Sequence, residues 1–139
     1  MKLKFASVTV LLLIMFQSYS QTKIGEVYDT YGGLWASSEF SIEGSDTMYM
    51  FSIRDSQNLL ELRFGAFGFF GYNNYIYFKS AIESKFGTNS TFELPMPTGT
   101  LELQFKEEIL VMTWLEENKA PVISRKFTKK DCALIFKTI

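Results

Sequence analysis

The sequence predicts a mainly β domain, an antiparallel meander that forms a small β-sandwich or a curved, barrel-like sheet, with a short C-terminal α-helix. Three observations support this fold class. Apolar and polar residues alternate with a period of two over much of the chain, turn-forming segments separate the alternating runs, and a helix-start signal opens an apolar helical face near the C-terminus. We expect that helix to cover an open end or edge of the sheet.

The first twenty residues have the layout of a cleavable export signal. Two lysines give a positive start, residues 5–16 are an apolar stretch of twelve residues, and small serines precede the expected cleavage point. The apolar stretch is too short for an ordinary membrane-spanning helix. We therefore expect residues 1–20 to be removed and residues 21–139 to form a single β-rich globular domain, periplasmic or secreted, with no integral membrane segment.

The charge balance argues against nucleic acid as a partner. Removing the signal leaves 12 basic and 15 acidic residues, a formal charge of −3, and no basic stripe. The counterion release that drives nucleic-acid binding is therefore missing, and docking on anionic lipid is disfavoured for the same reason.

Residue alternation identifies the strands. Tyr49, Phe51 and Ile53 alternate with smaller or more polar neighbours, as expected of a strand with one buried face. Residues 109–115 are apolar almost throughout, which favours a central strand covered on both faces. The predicted strands are 24–30, 34–42, 47–54, 58–64, 75–83, 99–105, 108–115 and 121–127.

Two segments between these strands allow more than one structure. Residues 75–83 fit a strand. However, Phe78, Ile82 and Phe86, followed by a glycine, also fit the apolar face and stop signal of a short helix. Residues 88–98 contain two prolines and predict an extended crossing segment or an edge strand.

The C-terminal helix is predicted from its first turn. Thr128 and Asp131 have the spacing of a capping box, in which both side chains bond otherwise unpaired backbone N–H groups. Cys132, Ile135 and Phe136 then fall on one apolar face. Because Cys132 is the only cysteine, it forms no internal disulfide, and its place on this face predicts a packed, unreactive thiol.

The sequence favours no catalytic chemistry. It contains no histidine, which removes the usual Ser-His-acid and Cys-His nucleophiles and the commonest transition-metal ligand. A single cysteine cannot form a zinc-thiolate cluster, and no calcium-type loop of alternating aspartates occurs. We therefore expect no cofactor, no metal ion and no catalytic residues, and an enzyme of unidentified type ranks third among the functional hypotheses.

Residues 64–78, FGAFGFFGYNNYIYF, carry the strongest functional signal. Eight of these fifteen residues are aromatic, three are glycines at three-residue intervals, and none is charged. Because glycine weakens a regular strand, the glycines predict a bent loop between two strands. Filling the core explains the aromatics equally well. If the loop is exposed, its candidate partner or ligand contacts are Phe67, Phe69, Phe70, Tyr72 and Tyr75.

Two functional hypotheses use this aromatic loop. The preferred one is an exported, non-enzymatic protein-interaction module of the bacterial envelope or extracellular space, whose loop contacts an unknown protein partner. The alternative is a carrier of an apolar small molecule or lipid, with a cavity inside the curved sheet and the loop as its lid.

Two short patterns match glycosylation acceptors. Asn89 begins the Asn-Ser-Thr pattern of N-glycosylation, and Thr47 lies in an Asp-Thr-Met pattern that resembles the O-glycosylation acceptor of some Gram-negative bacteria. Three-residue patterns often arise by chance, so neither defines a function.

Overall fold

The computed structural model describes residues 21–137, which form two antiparallel sheets and two helices around a shared core. The predicted export signal lies outside the described residues. Sheet A contains, in spatial and chain order, β1 (Thr22–Tyr28), β2 (Leu34–Glu43), β3 (Asp46–Arg54) and β4 (Phe64–Phe70). Helix α1 (Tyr72–Lys85) leads from sheet A to sheet B.

Sheet B is also a meander, and a second helix follows it. Its strands are β5 (Thr88–Met96), β6 (Gly99–Glu107), β7 (Ile109–Leu115), β8 (Val122–Ile123) and β9 (Phe127–Thr128), of which the last two both pair with β7. Helix α2 (Lys129–Ile135) packs against β1. The mainly β fold with a short C-terminal helix is therefore confirmed, and the two sheets form a sandwich-like arrangement that does not close into a barrel.

The core lies where the two sheets face each other. Tyr49, Phe51 and Ile53 of β3 are buried, and Phe67 of β4 lies opposite Phe51, so the buried face of sheet A continues into its last strand. Sheet B supplies alternate residues of β6 and β7 to the same core: Leu101, Leu103, Phe105, Leu110, Met112 and Trp114.

A buried carboxylate joins the sheets at one end of the sandwich. Asp55 is 3% exposed, and its Oδ2 lies 3.5 Å from Nη1 of Arg63. Its Oδ1 accepts hydrogen bonds from the N–H groups of Gln57, at 3.1 Å, and of Ile123 in β8, at 3.3 Å. The carboxylate therefore holds the segment after β3 against sheet B.

The predicted strand 58–64 is wrong. This segment belongs to a loop that ends at Arg63, where the Asp55 N–H donates to the Arg63 carbonyl at 2.8 Å. Inside the loop, Asn58 Oδ1 accepts from the N–H groups of Leu60 and Glu61 at 3.3 and 3.2 Å. Such local side-chain bonds offer the backbone an alternative to strand pairing, and Leu60 is consequently 99% exposed.

The predicted strand 75–83 is also wrong, and the helical alternative is correct. Tyr75, Phe78 and Ile82 recur at helical spacing and are buried on one face of α1. The helix starts after Gly71, whose φ of 91° ends the preceding strand in a conformation that favours glycine. The aromatic stretch is therefore a strand followed by a helix, with a sharp break at Gly71.

Two glycines of the aromatic stretch lie inside β4, where the sequence predicted a bent loop. A Cβ atom on Gly65 would lie 2.9 Å from Cδ1 of Trp114, and one on Gly68 would lie 2.6 Å from Sδ of Met50. These glycines are compatible with a strand because the space that their own side chains would fill is occupied, by Trp114 at Gly65 and by the Tyr49 carbonyl and the Met50 side chain at Gly68.

The last part of the chain agrees with the predicted edge strand and helix start, but not with a continuous strand over 121–127. Residues 88–96 form edge strand β5, which contains Pro95. The segment 121–127 is divided into β8 and the start of β9. The capping box of α2 is confirmed, and Cys132 is buried as predicted.

Candidate ligand-binding groove

The five predicted contact residues divide between the core and the surface. Phe67 is 2% exposed and Tyr75 is fully buried, whereas Phe70 and Tyr72 are 48% and 46% exposed. Phe69 is half-buried against the core, with its ring centroid 5.2 Å from that of Phe78 in α1. The structure therefore does not bring the five side chains together on one surface.

Tyr75 fixes the start of α1 in the core. Its ring stacks on Tyr49 with centroids 4.6 Å apart, and its hydroxyl donates to the Lys137 carbonyl at 2.7 Å. Burial raises the pKa of the Tyr75 hydroxyl to about 12, with smaller contributions from Tyr49 and Tyr72. Tyr75 thus links α1, sheet A and the C-terminal segment after α2.

A groove of about 490 Å³ runs along α1, beside the edge strands of the two sheets. Gly68 and Phe69 of β4 form part of its wall. The groove is open to solvent, and its volume lies within the range of about 300–1,000 Å³ that is typical of small-molecule sites. Phe69 is the one predicted contact residue that lines it.

One face of α1 forms the helical wall. The spacing of its lining residues follows the turns of the helix, so they recur along a single stripe. Next to the core-facing stripe, Ala81 is half-buried and leaves space where a larger residue would fill the groove. The residues of this stripe are Asn74, Tyr77, Phe78, Ala81 and Lys85.

Strand β5 forms the opposite wall, and β6 forms the floor. Phe92, Leu94 and Met96 of β5 alternate with exposed residues, so all three point to the inner side. Leu103 and Phe105, both buried, lie beneath them. This wall could have been identified from the sequence. Its three apolar residues occupy alternate positions within residues 88–98, the segment whose two prolines indicate an edge strand.

Lys85 is the charged residue of the groove. Its ammonium lies 4.6 Å from the centroid of the Phe92 ring, a distance suited to a cation–π contact. Among the residues that the structure places in the groove lining, none is acidic. The groove therefore combines an apolar interior with one positive charge at the C-terminal end of α1.

The space between the two sheets is filled by side chains. The gap bordered by Phe51, Phe67 and Met112 has no volume for a water molecule, so the open volume lies at the side of the sandwich and not inside it. A second hollow of about 490 Å³ lies on the outer side of sheet B, with lysines and a glutamate in its lining. It lacks aromatic residues, which makes the groove along α1 the better candidate for an apolar ligand.

Neither protein-family models, nor curated proteins, nor solved structures gave a match to the chain. Function is therefore inferred from the geometry of the groove. Over residues 21–137, no helix has the length and apolar character to cross a membrane. The same residues contain no cluster of three acidic or cysteine side chains placed to hold a metal ion.

The two glycosylation patterns both lie in strands. Thr47 is the second residue of β3, which follows the hairpin turn at Gly44 and Ser45, and it is half-buried. Asn89 is exposed in β5, and its Oδ1 accepts from the N–H of Glu107 at 3.2 Å. Attaching a sugar to Asn89 would therefore alter a side chain that bonds the neighbouring strand.

Proposed function

We propose that the protein is an exported binding protein that takes an apolar small molecule or lipid in the groove between α1 and β5. The observation that supports this function is the apolar groove itself, which has the volume of a small-molecule site and aromatic residues in its wall and floor. The ligand enters from the side of the sandwich, while the filled core maintains the fold in its absence.

The groove favours an apolar ligand because binding removes apolar surface from water on both partners. Phe69, Phe92 and Leu94 are only partly buried in the free protein, and a ligand would cover them further. Each additional apolar Å² removed from water contributes about 25 cal/mol, before the cost of fixing the ligand is subtracted.

Titration with the neutral fluorescent probe N-phenylnaphthylamine tests this function. We expect a saturable fluorescence increase with one site per chain. An Ala81→Trp variant fills the groove and should weaken probe binding by at least about tenfold, which corresponds to about 1.4 kcal/mol. Ala133→Trp is the matched control, because Ala133 is an exposed helical alanine in α2, and it should leave binding unchanged.

The two variants also define the results that would refute the proposal. The same loss of probe binding in Ala81→Trp and Ala133→Trp would place the probe elsewhere. Absence of saturable binding to the unmodified protein would remove the basis for an apolar-ligand site. Thermal unfolding of both variants serves as the control for an intact fold.

A second candidate function is protein interaction through the exposed part of the aromatic stretch. Phe70 and Tyr72 are about half exposed, and Phe70 ends edge strand β4 opposite Met48. Exposed aromatic residues are frequent anchors of protein interfaces. A photo-crosslinking residue at position 70 should give one discrete adduct in the producing cells, whereas the same residue at Tyr31, which is 97% exposed, should give none. Equal labelling at both positions would argue against this surface.

A further inference from the structure

We propose that the ligand of the groove is an anionic single-chain amphiphile, a molecule with one acyl-like tail and a carboxylate or similar acidic head group bound by Lys85. This inference rests on the proposed function, since it specifies the class of ligand that the groove takes. It follows from the groove's charge and its shape along α1.

Lys85 has the position of a head-group ligand. It lines the groove, and its ammonium lies over the Phe92 ring of the opposite wall instead of extending into solvent. An anionic head group at this end would gain a charge-assisted hydrogen bond next to an apolar surface. A neutral head group would gain a weaker bond, and a cationic one would be repelled.

The pairing of neighbouring charges supports the same assignment. Lys79, six residues earlier in α1, already forms an ion pair with Glu83, with Nζ 2.8 Å from Oε1. Lys85 has no carboxylate within 4.0 Å among residues 21–137. Its charge is therefore available to a ligand, whereas that of Lys79 is compensated within the helix.

The groove is elongated, which selects a single extended tail. Asn74 and Lys85 mark the ends of its helical wall and are eleven residues apart, or about 16 Å along the helix axis. The opposite wall from Phe92 to Met96 spans about 13 Å of extended strand. Because an extended carbon chain advances about 1.3 Å per carbon, this length fits a tail of about 10 to 12 carbons.

Displacement of bound N-phenylnaphthylamine by three amphiphiles with the same twelve-carbon tail tests the inference. Dodecanoate, dodecanol and dodecyltrimethylammonium are compared below their micelle concentrations, so that only the head group differs. We expect dodecanoate to displace the probe at a concentration about three to ten times lower than dodecanol, and the cationic amphiphile to be the weakest. The variant Lys85→Gln should remove the preference for dodecanoate over dodecanol, with both displacements measured against the probe affinity of that same variant.

Lys79→Gln is the matched control, since it removes a lysine from the same helix outside the groove lining. It should leave the order of the three amphiphiles unchanged. Equal displacement by all three, or a preference for dodecanoate that survives in Lys85→Gln, would overturn the inference while leaving the apolar-ligand function intact. Failure of the neutral probe to bind at all would instead refute the proposed function, so the two failures are distinguishable.

Discussion

Replacing Phe67 and Phe70 separately by alanine measures how strongly the middle and the last residue of β4 are packed against the core. Phe67 is 2% exposed, and its ring centroid lies 5.6 Å from that of Phe51 and 5.5 Å from that of Trp114. A buried phenylalanine removes about 150–250 Å² from water, which at about 25 cal/mol per Å² corresponds to roughly 4–6 kcal/mol as an upper estimate. Measured Phe→Ala substitutions in cores cost about 3–5 kcal/mol, so we expect this range for Phe67→Ala.

Phe70 is the matched residue in the same strand. It is 48% exposed, so alanine there removes roughly half as much buried area, and we expect about half the loss, roughly 1.5–2.5 kcal/mol. Urea unfolding of both variants measures the two losses in free energy of unfolding, with an unchanged dependence on denaturant as evidence of an intact native state. Equal losses for Phe67→Ala and Phe70→Ala, or a loss below about 1 kcal/mol for Phe67→Ala, would refute the packing described for β4.

Four further outcomes test other parts of the structure. Asp55→Ala should lower the free energy of unfolding in urea by about 3–5 kcal/mol, because it leaves Arg63 and two backbone N–H groups without their carboxylate. An unchanged unfolding midpoint would contradict the link between the sheets. Gly65→Ala should cost about 1–3 kcal/mol and change tryptophan fluorescence, because its Cβ would displace Trp114; unchanged stability and emission would count against that contact. Burial raises the pKa of Cys132 to about 12, so the native protein should not react with a thiol reagent at neutral pH but should show one reactive thiol in denaturant. Burial raises the pKa of Tyr75 from 10.0 to about 12, so its contribution to stability is complete below pH 10 and is lost as the pH rises toward 12. The variant Tyr75→Phe should therefore show a smaller fall in stability over that pH interval. An identical fall in both proteins would argue against the buried hydroxyl.

The sequence was sufficient for features in which local pattern and tertiary packing agree. In β3, the alternation of Tyr49, Phe51 and Ile53 matches the buried face of the strand, and the capping box at Thr128 is local chemistry that needs no partner from elsewhere. The edge position of β5 was one of the two structures predicted for residues 88–98, because proline is tolerated at a sheet edge.

The errors arise where distant residues or a local turn decide the structure. Gly65 and Gly68 predict a loop by their intrinsic preference, but their environment contains Trp114 and Met50, which lie far away in the sequence or on a neighbouring strand. Leu60 alternates with charged residues like a strand, but the side chain of Asn58 holds its backbone in a turn. The sequence alone does not show which distant side chain packs against a glycine, and it shows a local turn such as the one at Asn58 only as a weak signal.

The groove is open because one face of α1 packs into the core while the adjacent face lies opposite β5. Tyr75, Phe78 and Ile82 fill the core and anchor the helix, so they determine its orientation. The adjacent stripe then faces β5 across the groove, and its middle carries the small side chain of Ala81. A larger apolar residue at this position would bury more surface and would be expected to stabilise the free protein. Alanine therefore leaves apolar side chains in contact with water, a cost in stability that a bound apolar tail would offset.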